Sequence, residues 1–264
     1  MISYPNIDPV ILEIGPLAIR WYSVAYIIGI VGGCWYADIL NKKPPVIKNL
    51  KVSDDFMVWV IFGIILGGRI GYVLFYNLPF YLENPIDALK VWQGGMSFHG
   101  GLLGFIAATS IFCRKYKINV LSLLDLAACV TPIGLFFGRL ANFINGELYG
   151  RVTDSSLGMI FPNGGPLPRY PSQLFEATLE GLLLFSVMFL LTKYTNIKSY
   201  TGRLSGIFLC WYGLSRMFLE NFREPDEQIG FLFYHITTGQ MLSMPMLLLG
   251  IFMLLRKVKI NNAA

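Results

Sequence analysis

The stretch FMVWVIFGIILGGRIGYVLFY, residues 56–76, carries a single charge, Arg69, in 21 positions. About 20 mostly apolar residues, wound as a helix, cross a hydrocarbon core of roughly 30 Å, so a run like this belongs in a bilayer. Six further runs of the same kind lie at 20–37, 94–113, 118–139, 173–192, 204–221 and 234–255. The chain as a whole agrees, with 55% of its 264 residues apolar and 14% charged, where a soluble domain carries about 25% charged residues. That composition excludes an ordinary soluble protein. It equally excludes a disordered tail, which needs high charge and little apolar content. The first run has no basic segment before it and is followed by lysines rather than a small-residue cleavage site, so it reads as a retained anchor and not a removable signal peptide. The expected fold is an all-α polytopic membrane protein of about seven transmembrane helices, a single transmembrane domain over 1–264.

The basic residues then orient it. Loops on the cytoplasmic side of a membrane are enriched in Lys and Arg. The segments after the first, third, fifth and seventh runs carry Lys42, Lys43, Lys48 and Lys51, then Arg114, Lys115 and Lys117, then Lys193, Lys198 and Arg203, then Arg256, Lys257 and Lys259. These are 13 of the 21 basic residues. The alternate segments hold Lys90, Arg151, Arg169 and Arg223 against Glu83, Asp87, Glu147, Asp154, Glu224, Asp226 and Glu227. The N-terminus is therefore expected outside and the C-terminus in the cytoplasm. The net charge of +5 is largely a topology signal, which argues against a nucleic-acid partner. The basic residues that remain, Arg20, Arg69, Lys90, Arg139, Arg151, Arg169, Arg216 and Arg223, are seven Arg to one Lys, whereas the cytoplasmic segments have ten Lys to three Arg. Guanidinium offers a fixed fork of donors that suits phosphate or carboxylate, while lysine serves as a simple topology charge. Snorkelling at the interface is an equally good account for Arg20, Arg151 and Arg169. It is weaker for Arg69, Arg139 and Arg216, which sit inside or at the end of a run.

Two segments on the expected outer side are long enough to matter. Residues 77–93 contain Pro79 and Pro85 followed by Ile86, Leu89, Val91 and Trp92, a pattern for a short interfacial helix with an apolar side. Residues 146–171 are rich in Gly, Pro, Asn and Ser and read as a structured external loop or small head. No internal repeat or pair of broken helices is evident, so the usual pointer to a secondary transporter is missing. Cys34, Cys113, Cys129 and Cys210 are scattered through apolar stretches without a Cys-x-x-Cys pair, which supports neither a disulfide framework nor a zinc site. No metal and no cofactor is expected.

Three segments carry chemistry. At the outer end of the fourth run, Arg139 and Asn142 are three residues apart and share a face if the helix continues that far, and Asn145-Gly146 is a turn signal that would end it. An arginine, two carboxamides and backbone-exposing glycines at headgroup depth are the parts a phosphate or glycerol site needs. A structural cap with a snorkelling arginine is the alternative. In the sixth run Tyr212, Arg216 and Glu220 are spaced by four, with Arg223 three further on, so all four line one stripe. Charge in lipid is expensive, so this stripe should face inward. A self-satisfied Arg216–Glu220 pair is the competing reading, and Arg139 nearby would give a positive surplus calling for an anion. In the third run His99 lies between glycines that permit close approach of a neighbour, as a base near neutral pH or as a packed hydrogen-bonding residue. Ser97 is not in a Gly-x-Ser-x-Gly elbow, which leaves little for a serine protease. His235 reads as an interfacial residue.

Together these segments resemble the bacterial prolipoprotein diacylglyceryl transferase family. The likeness runs through Ile-Gly-Pro at 14–16, Arg20-Trp21-Tyr22, Gly-Gly-Met-Ser-Phe-His-Gly-Gly at 94–101, Gly-Arg-x-x-Asn-Phe-x-Asn-Gly-Glu-x-x-Gly at 138–150, Tyr170-Pro171-Ser172-Gln173 and residues 216–226. The 138–150 stretch is the specific one, and Tyr170 stands where the family commonly has histidine. The resemblance implies a seven-span enzyme of the bacterial inner membrane, its active site toward the outer side. It implies transfer of the diacylglyceryl group of phosphatidylglycerol to the thiol of the lipobox cysteine in a prolipoprotein signal peptide, with release of glycerol phosphate. By matching position, Arg139 and Arg216 are the phosphate-binding candidates, with Asn142, Asn145 and Gly150 shaping the site and Tyr22 and Glu147 supporting it. His99 is the candidate acceptor of the thiol proton, with Tyr212 or Glu220 as alternative relays. The enzyme is taken as a monomer that needs no cysteine of its own.

Overall fold

The computed structural model describes residues 2–224, apart from 16, 44–45, 48–49 and 51–54, together with 237–256. Pro16, Lys48, Lys51, Asp226, Glu227, His235, Lys257, Lys259 and the start of the 234–255 run lie outside the described residues. Each of the seven apolar runs coincides with helix: α1 (Trp21–Asn41), α2 (Met57–Phe75), α4 (Phe98–Tyr116), α5 (Val120–Ile144), the continuous α6 (Ser172–Glu176), π stretch (Ala177–Leu183) and α7 (Leu184–Tyr194), then α8 (Arg203–Leu219) and α9 (Thr238–Leu255). Among the described residues four helical stretches are long and apolar enough to span a bilayer, Trp21–Asn41, Met57–Phe75, Val120–Ile144 and Ser172–Tyr194. The protein is thus a mostly helical, multi-pass membrane protein.

It is not all-α. Val10–Ile14 (β1) and Leu17–Arg20 (β2) pair antiparallel, Glu13 opposite Ala18 and Ile14 opposite Leu17. β-branched Val10, Ile11, Ile14 and Ile19 favour extended backbone. Gly15 turns the chain at φ 59°, a conformation glycine adopts without steric penalty. The 77–93 segment is also more broken than one interfacial helix: α3 (Leu78–Glu83) gives way to 3₁₀ turns at Pro85–Leu89 and Val91–Gln93. Leu82, Ile86, Leu89 and Trp92 within it are all exposed.

The chain divides into two compact units, one of residues 46–123 and one of the residues up to 45 with those from 124 on. In the first, α2 and α4 approach through glycines. A Cβ on Gly67 would come within 2.7 Å of the Gly104 Cα, and one on Gly71 within 2.9 Å of the Gly100 Cα. Small residues of this kind allow helices to pack closely where lipid removes the hydrophobic drive between them. Arg69, the charge in the opening stretch, is 6% exposed. Its Nε donates to the Ala88 carbonyl at 2.8 Å, Nη1 to Gly94 and Gly95 at 2.6 and 3.1 Å, and Nη2 to Asp87 at 2.6 Å. Its fork is thus committed to backbone carbonyls of the 77–97 segment and is not offered to a phosphate.

In the second unit, helix ends are fixed by polar contacts. Asp125 accepts from the Gly202 and Ser205 amides at 2.6 and 2.7 Å, which anchors the start of α8. Lys198 donates to the Leu40 and Lys43 carbonyls at the end of α1, both at 2.6 Å. All four cysteines are free thiols.

Candidate active site

Helix α5 does continue past Asn142, ending at Ile144 before Gly146 turns the chain at φ 64°. Tyr4 caps that end by donating to the Phe143 and Ile144 carbonyls at 2.8 and 3.0 Å. Burial pushes the Tyr4 phenol above its ordinary value, which keeps it a donor at any physiological pH. In the 146–171 segment Phe161 and Met159 pack with Phe143, while Gly150 accepts close approach on both sides, its amide donating to the Tyr170 carbonyl at 2.8 Å. A Cβ at Gly150 would overlap the Phe222 carbonyl, so glycine is what allows this segment to lie against the end of α8. Arg151 then fixes that end, its Nε donating to the Arg223 carbonyl at 2.7 Å and its Nη2 to the Glu220 carbonyl at 3.1 Å.

Within this unit the charged side chains converge on Glu176. Its carboxylate is wholly buried, with 0% of the side chain exposed, and meets Arg139 Nε at 2.7 Å, Arg216 Nη1 at 3.3 Å and Arg223 Nη1 at 2.6 Å. Glu220 closes the far side, 2.7 Å from Arg216 Nη2 and 3.6 Å from Arg223 Nε. Glu180 lies within the π stretch, also fully buried, 3.8 Å from Arg139 Nη2. π segments recur at functional sites, and this one is held by Trp211, whose indole donates to the Leu179 carbonyl at 2.9 Å. Tyr212 stacks on Phe208 at 5.8 Å and lies in the electrostatic reach of Glu180, Arg216, Arg139 and Glu176. The stripe expected from spacing, Tyr212, Arg216, Glu220 and Arg223, therefore does face inward to one cluster, although α8 itself stops at Leu219.

The expected surplus of positive charge is absent. Arg139, Arg216 and Arg223 face Glu176, Glu180 and Glu220, because α6 and the π stretch supply two carboxyls that the sequence reading passed over. Their signal was present: two glutamates four apart inside an apolar run lie on one helical face, and an ionisable group at such depth marks a site by default.

Asn142 and Asn145 belong to a neighbouring group. Both donate to Glu147 Oε1, at 2.8 and 3.4 Å, and buried Gln173 donates to the Glu147 carbonyl at 2.6 Å. Tyr22 packs its ring 5.1 Å from that of Tyr26. His99 belongs to the 46–123 unit. It is exposed in the first turn of α4, whose cap is Ser97, the hydroxyl accepting from the Gly100 amide at 3.2 Å. With Ser97 it borders an otherwise apolar groove of about 970 Å³ along α2 and α4.

A buried arginine–glutamate cluster drawn from α5, α6, the π stretch and the end of α8 marks the candidate site of this multi-pass membrane protein. A family model described as prolipoprotein diacylglyceryl transferase matches residues 9–256. Proteins named phosphatidylglycerol–prolipoprotein diacylglyceryl transferase are similar along almost the whole chain. The one from Rhodospirillum rubrum is 55% identical over 263 residues, covering 98% of this chain and 96% of that protein. Those from Rickettsia felis and Rickettsia conorii are 57% and 58% identical, each over 96% of this chain and 97% of theirs. The chain belongs to the prolipoprotein diacylglyceryl transferase family. It is a transferase, and the group it moves is a diacylglyceryl group.

Proposed function

We propose that the chain takes the diacylglyceryl group from phosphatidylglycerol and joins it to the thiol of the lipobox cysteine in a prolipoprotein signal peptide. A thioether forms and glycerol phosphate leaves. The observation that carries this reading is the convergence of Arg139, Arg216 and Arg223 on buried Glu176. In the reaction a thiolate attacks an sp³ carbon, the carbon–oxygen bond breaks and the electron pair passes to the departing phosphate. Guanidiniums held in place before the reaction stabilise that charge without reorganising, and each such donor is worth about 10²–10³-fold in rate. Arg139 and Arg216 bind the phosphate in this reading. Asn142, Asn145 and Glu147 shape the neighbouring wall with Tyr22, and Gly150 keeps the 146–171 segment against it.

His99 is the proton acceptor of this reading. A thiol with an ordinary value near 8.5 is mostly unreactive at neutral pH and needs a base. Glu220 is already engaged by Arg216 and Arg223, and Tyr212 serves as a relay at most. The chain acts as a monomer embedded in the bacterial inner membrane, one catalytic domain over 1–264 crossing it about seven times. Its lysine-rich loops are cytoplasmic, and its N-terminus, the 77–93 and 146–171 segments and the active site lie toward the outer side.

Purified protein mixed with phosphatidylglycerol vesicles and a lipobox peptide should yield a peptide heavier by one thioether-linked diacylglyceryl group, with glycerol phosphate released in equal amount. No adduct and no glycerol phosphate would defeat the assignment. For His99, the rate of lipid- and thiol-dependent turnover should fall in His99→Gln chiefly between about pH 6 and 8, where an imidazole base has its effect. Superimposable pH–rate profiles for the two proteins would remove the base role.

A further inference from the structure

Among the described residues two that are not glycine hold a positive φ, Lys117 at 55° and Leu148 at 56°. For Lys117 the reason is local, since it caps the end of α4, where a left-handed residue is common. Leu148 has no such reason. Gly146 has already turned the chain out of α5, two residues earlier. A side chain in this region crowds the following carbonyl, and glycine or asparagine enters it with far less steric penalty. The conformation is imposed by buried neighbours. Gln173 Nε2 donates to the Glu147 carbonyl at 2.6 Å and Ser172 Oγ to the Leu148 carbonyl at 3.1 Å, and both donor residues are 0% exposed. The next residue, Tyr149, is tied down: its ring lies 5.5 Å from Phe161, the Arg169 guanidinium sits 4.9 Å above it, and its hydroxyl donates to the Asn163 carbonyl at 2.8 Å. The Phe143, Met159 and Phe161 core that takes up Tyr149 does not take up Leu148, which is 48% exposed. A leucine thus stands where glycine would be less strained and where its own side chain gains little from the fold. Strain of this kind, held by a rigid surround, points to a role in binding. The preceding residue, Glu147, is exposed as well and gathers Asn142 and Asn145.

Resting on the transfer reading above, we propose that Leu148 is a specificity-determining contact for the prolipoprotein, its side chain packing against the apolar residues that precede the cysteine in the signal peptide. Chemistry decides between the two substrates. The thiol must reach the carbon that bears the phosphate, so beside Asn142, Asn145 and Glu147 the lipid presents phosphate and glycerol, which are polar. The peptide presents there the apolar residues of its signal sequence. Leu148 touches no reacting atom. Seating the peptide removes the exposed part of the leucine from water, and the backbone that carries it is already fixed by Ser172 and Gln173, so little ordering is left to oppose binding.

The test compares Leu148→Gly and Leu148→Asn, which both suit this φ, with Leu148→Met, which keeps an apolar reach. The glycine and asparagine variants should melt no lower than the wild type. Their KM for a lipobox peptide in mixed micelles should rise by about three- to tenfold, the worth of burying half a leucine side chain. Their kcat and their KM for phosphatidylglycerol should stay as in the wild type, because only binding of the peptide is lost. Leu148→Met should recover most of the peptide KM. A fluorescent lipobox peptide with serine in place of its cysteine should bind more weakly by the same factor, read by anisotropy without any transfer. Alanine in place of the apolar residues before the cysteine should weaken binding to the wild type and leave binding to Leu148→Gly unchanged. Unchanged peptide KM and Kd in both variants, or a rise confined to the KM for the lipid, overturns the proposal. So does a lower melting midpoint or a failure to accumulate in both variants, which would make Leu148 a packing residue. Peptide binding that depends on Leu148, with no adduct formed by the wild type, would strike instead at the transfer reading.

Discussion

Replacing Glu176 by alanine is expected to unfold the site before it slows it. The carboxylate is the one group that Arg139, Arg216 and Arg223 share, at 2.7, 3.3 and 2.6 Å. Without it, Glu220 and the distant Glu180 must balance three guanidiniums at close quarters, where little water screens them. Removing one member of a buried ion pair costs about 3–5 kcal/mol, because the other charge is left uncompensated. Here three partners lose their counter-ion in one step. The thermal midpoint of the detergent-solubilised protein should drop on the order of 10 °C, and adduct formation per folded molecule should fall at least about 100-fold as Arg139 and Arg216 drift from position. Glu176→Asp, which keeps the charge one methylene shorter, should recover much of the midpoint but little of the rate. Wild-type stability in Glu176→Ala would mean that the arginines hold each other's places by some other means.

What could be read ahead of the structure follows from how far each signal extends along the chain. Seven apolar runs are local patterns of membrane length, and each became helix. The Arg216, Glu220 and Arg223 stripe is equally local, set by spacings of four and three, and it faces one cluster as spacing requires. Arg69 shows the opposite case. As a lone arginine in an apolar run it looks like an anion ligand, yet its partners are the carbonyls of Asp87, Ala88, Gly94 and Gly95. Backbone carbonyls have no side-chain signature, so only the folded path of 77–97 discloses them. The joining of Arg139 to Arg216 needed a residue from a third helix, and Glu176 supplies it. That long-range meeting is invisible in spacing, although the two carboxyls themselves stood in plain view in the fifth run. The β1–β2 hairpin was hidden for a different reason: its apolar residues adjoin α1, and the extended strand pattern merges with the start of a membrane run.

Substituting Arg139 should have the larger effect on chemistry and the smaller one on folding, the reverse of Glu176. Its side chain is 17% exposed and makes two ion contacts, one short to Glu176 and one long to Glu180. In Arg139→Ala, Glu176 keeps Arg216 and Arg223, so no carboxylate beyond Glu180 loses its guanidinium. The protein should therefore insert and accumulate nearly as the wild type does. Turnover should nevertheless fall by about 10³-fold or more, since the lost donor is the one poised for the departing phosphate. Arg139→Lys sharpens the argument. An ammonium restores the charge but cannot reach Glu176 and a phosphate together with a rigid fork, so it should recover accumulation fully and turnover only in part. Measuring adduct formation per unit of folded protein in both variants separates the outcomes. Turnover in Arg139→Ala within a few-fold of wild type would remove Arg139 from the phosphate site. Equal turnover in the lysine and arginine proteins would leave it a point charge, with its two-sided geometry irrelevant to the transfer.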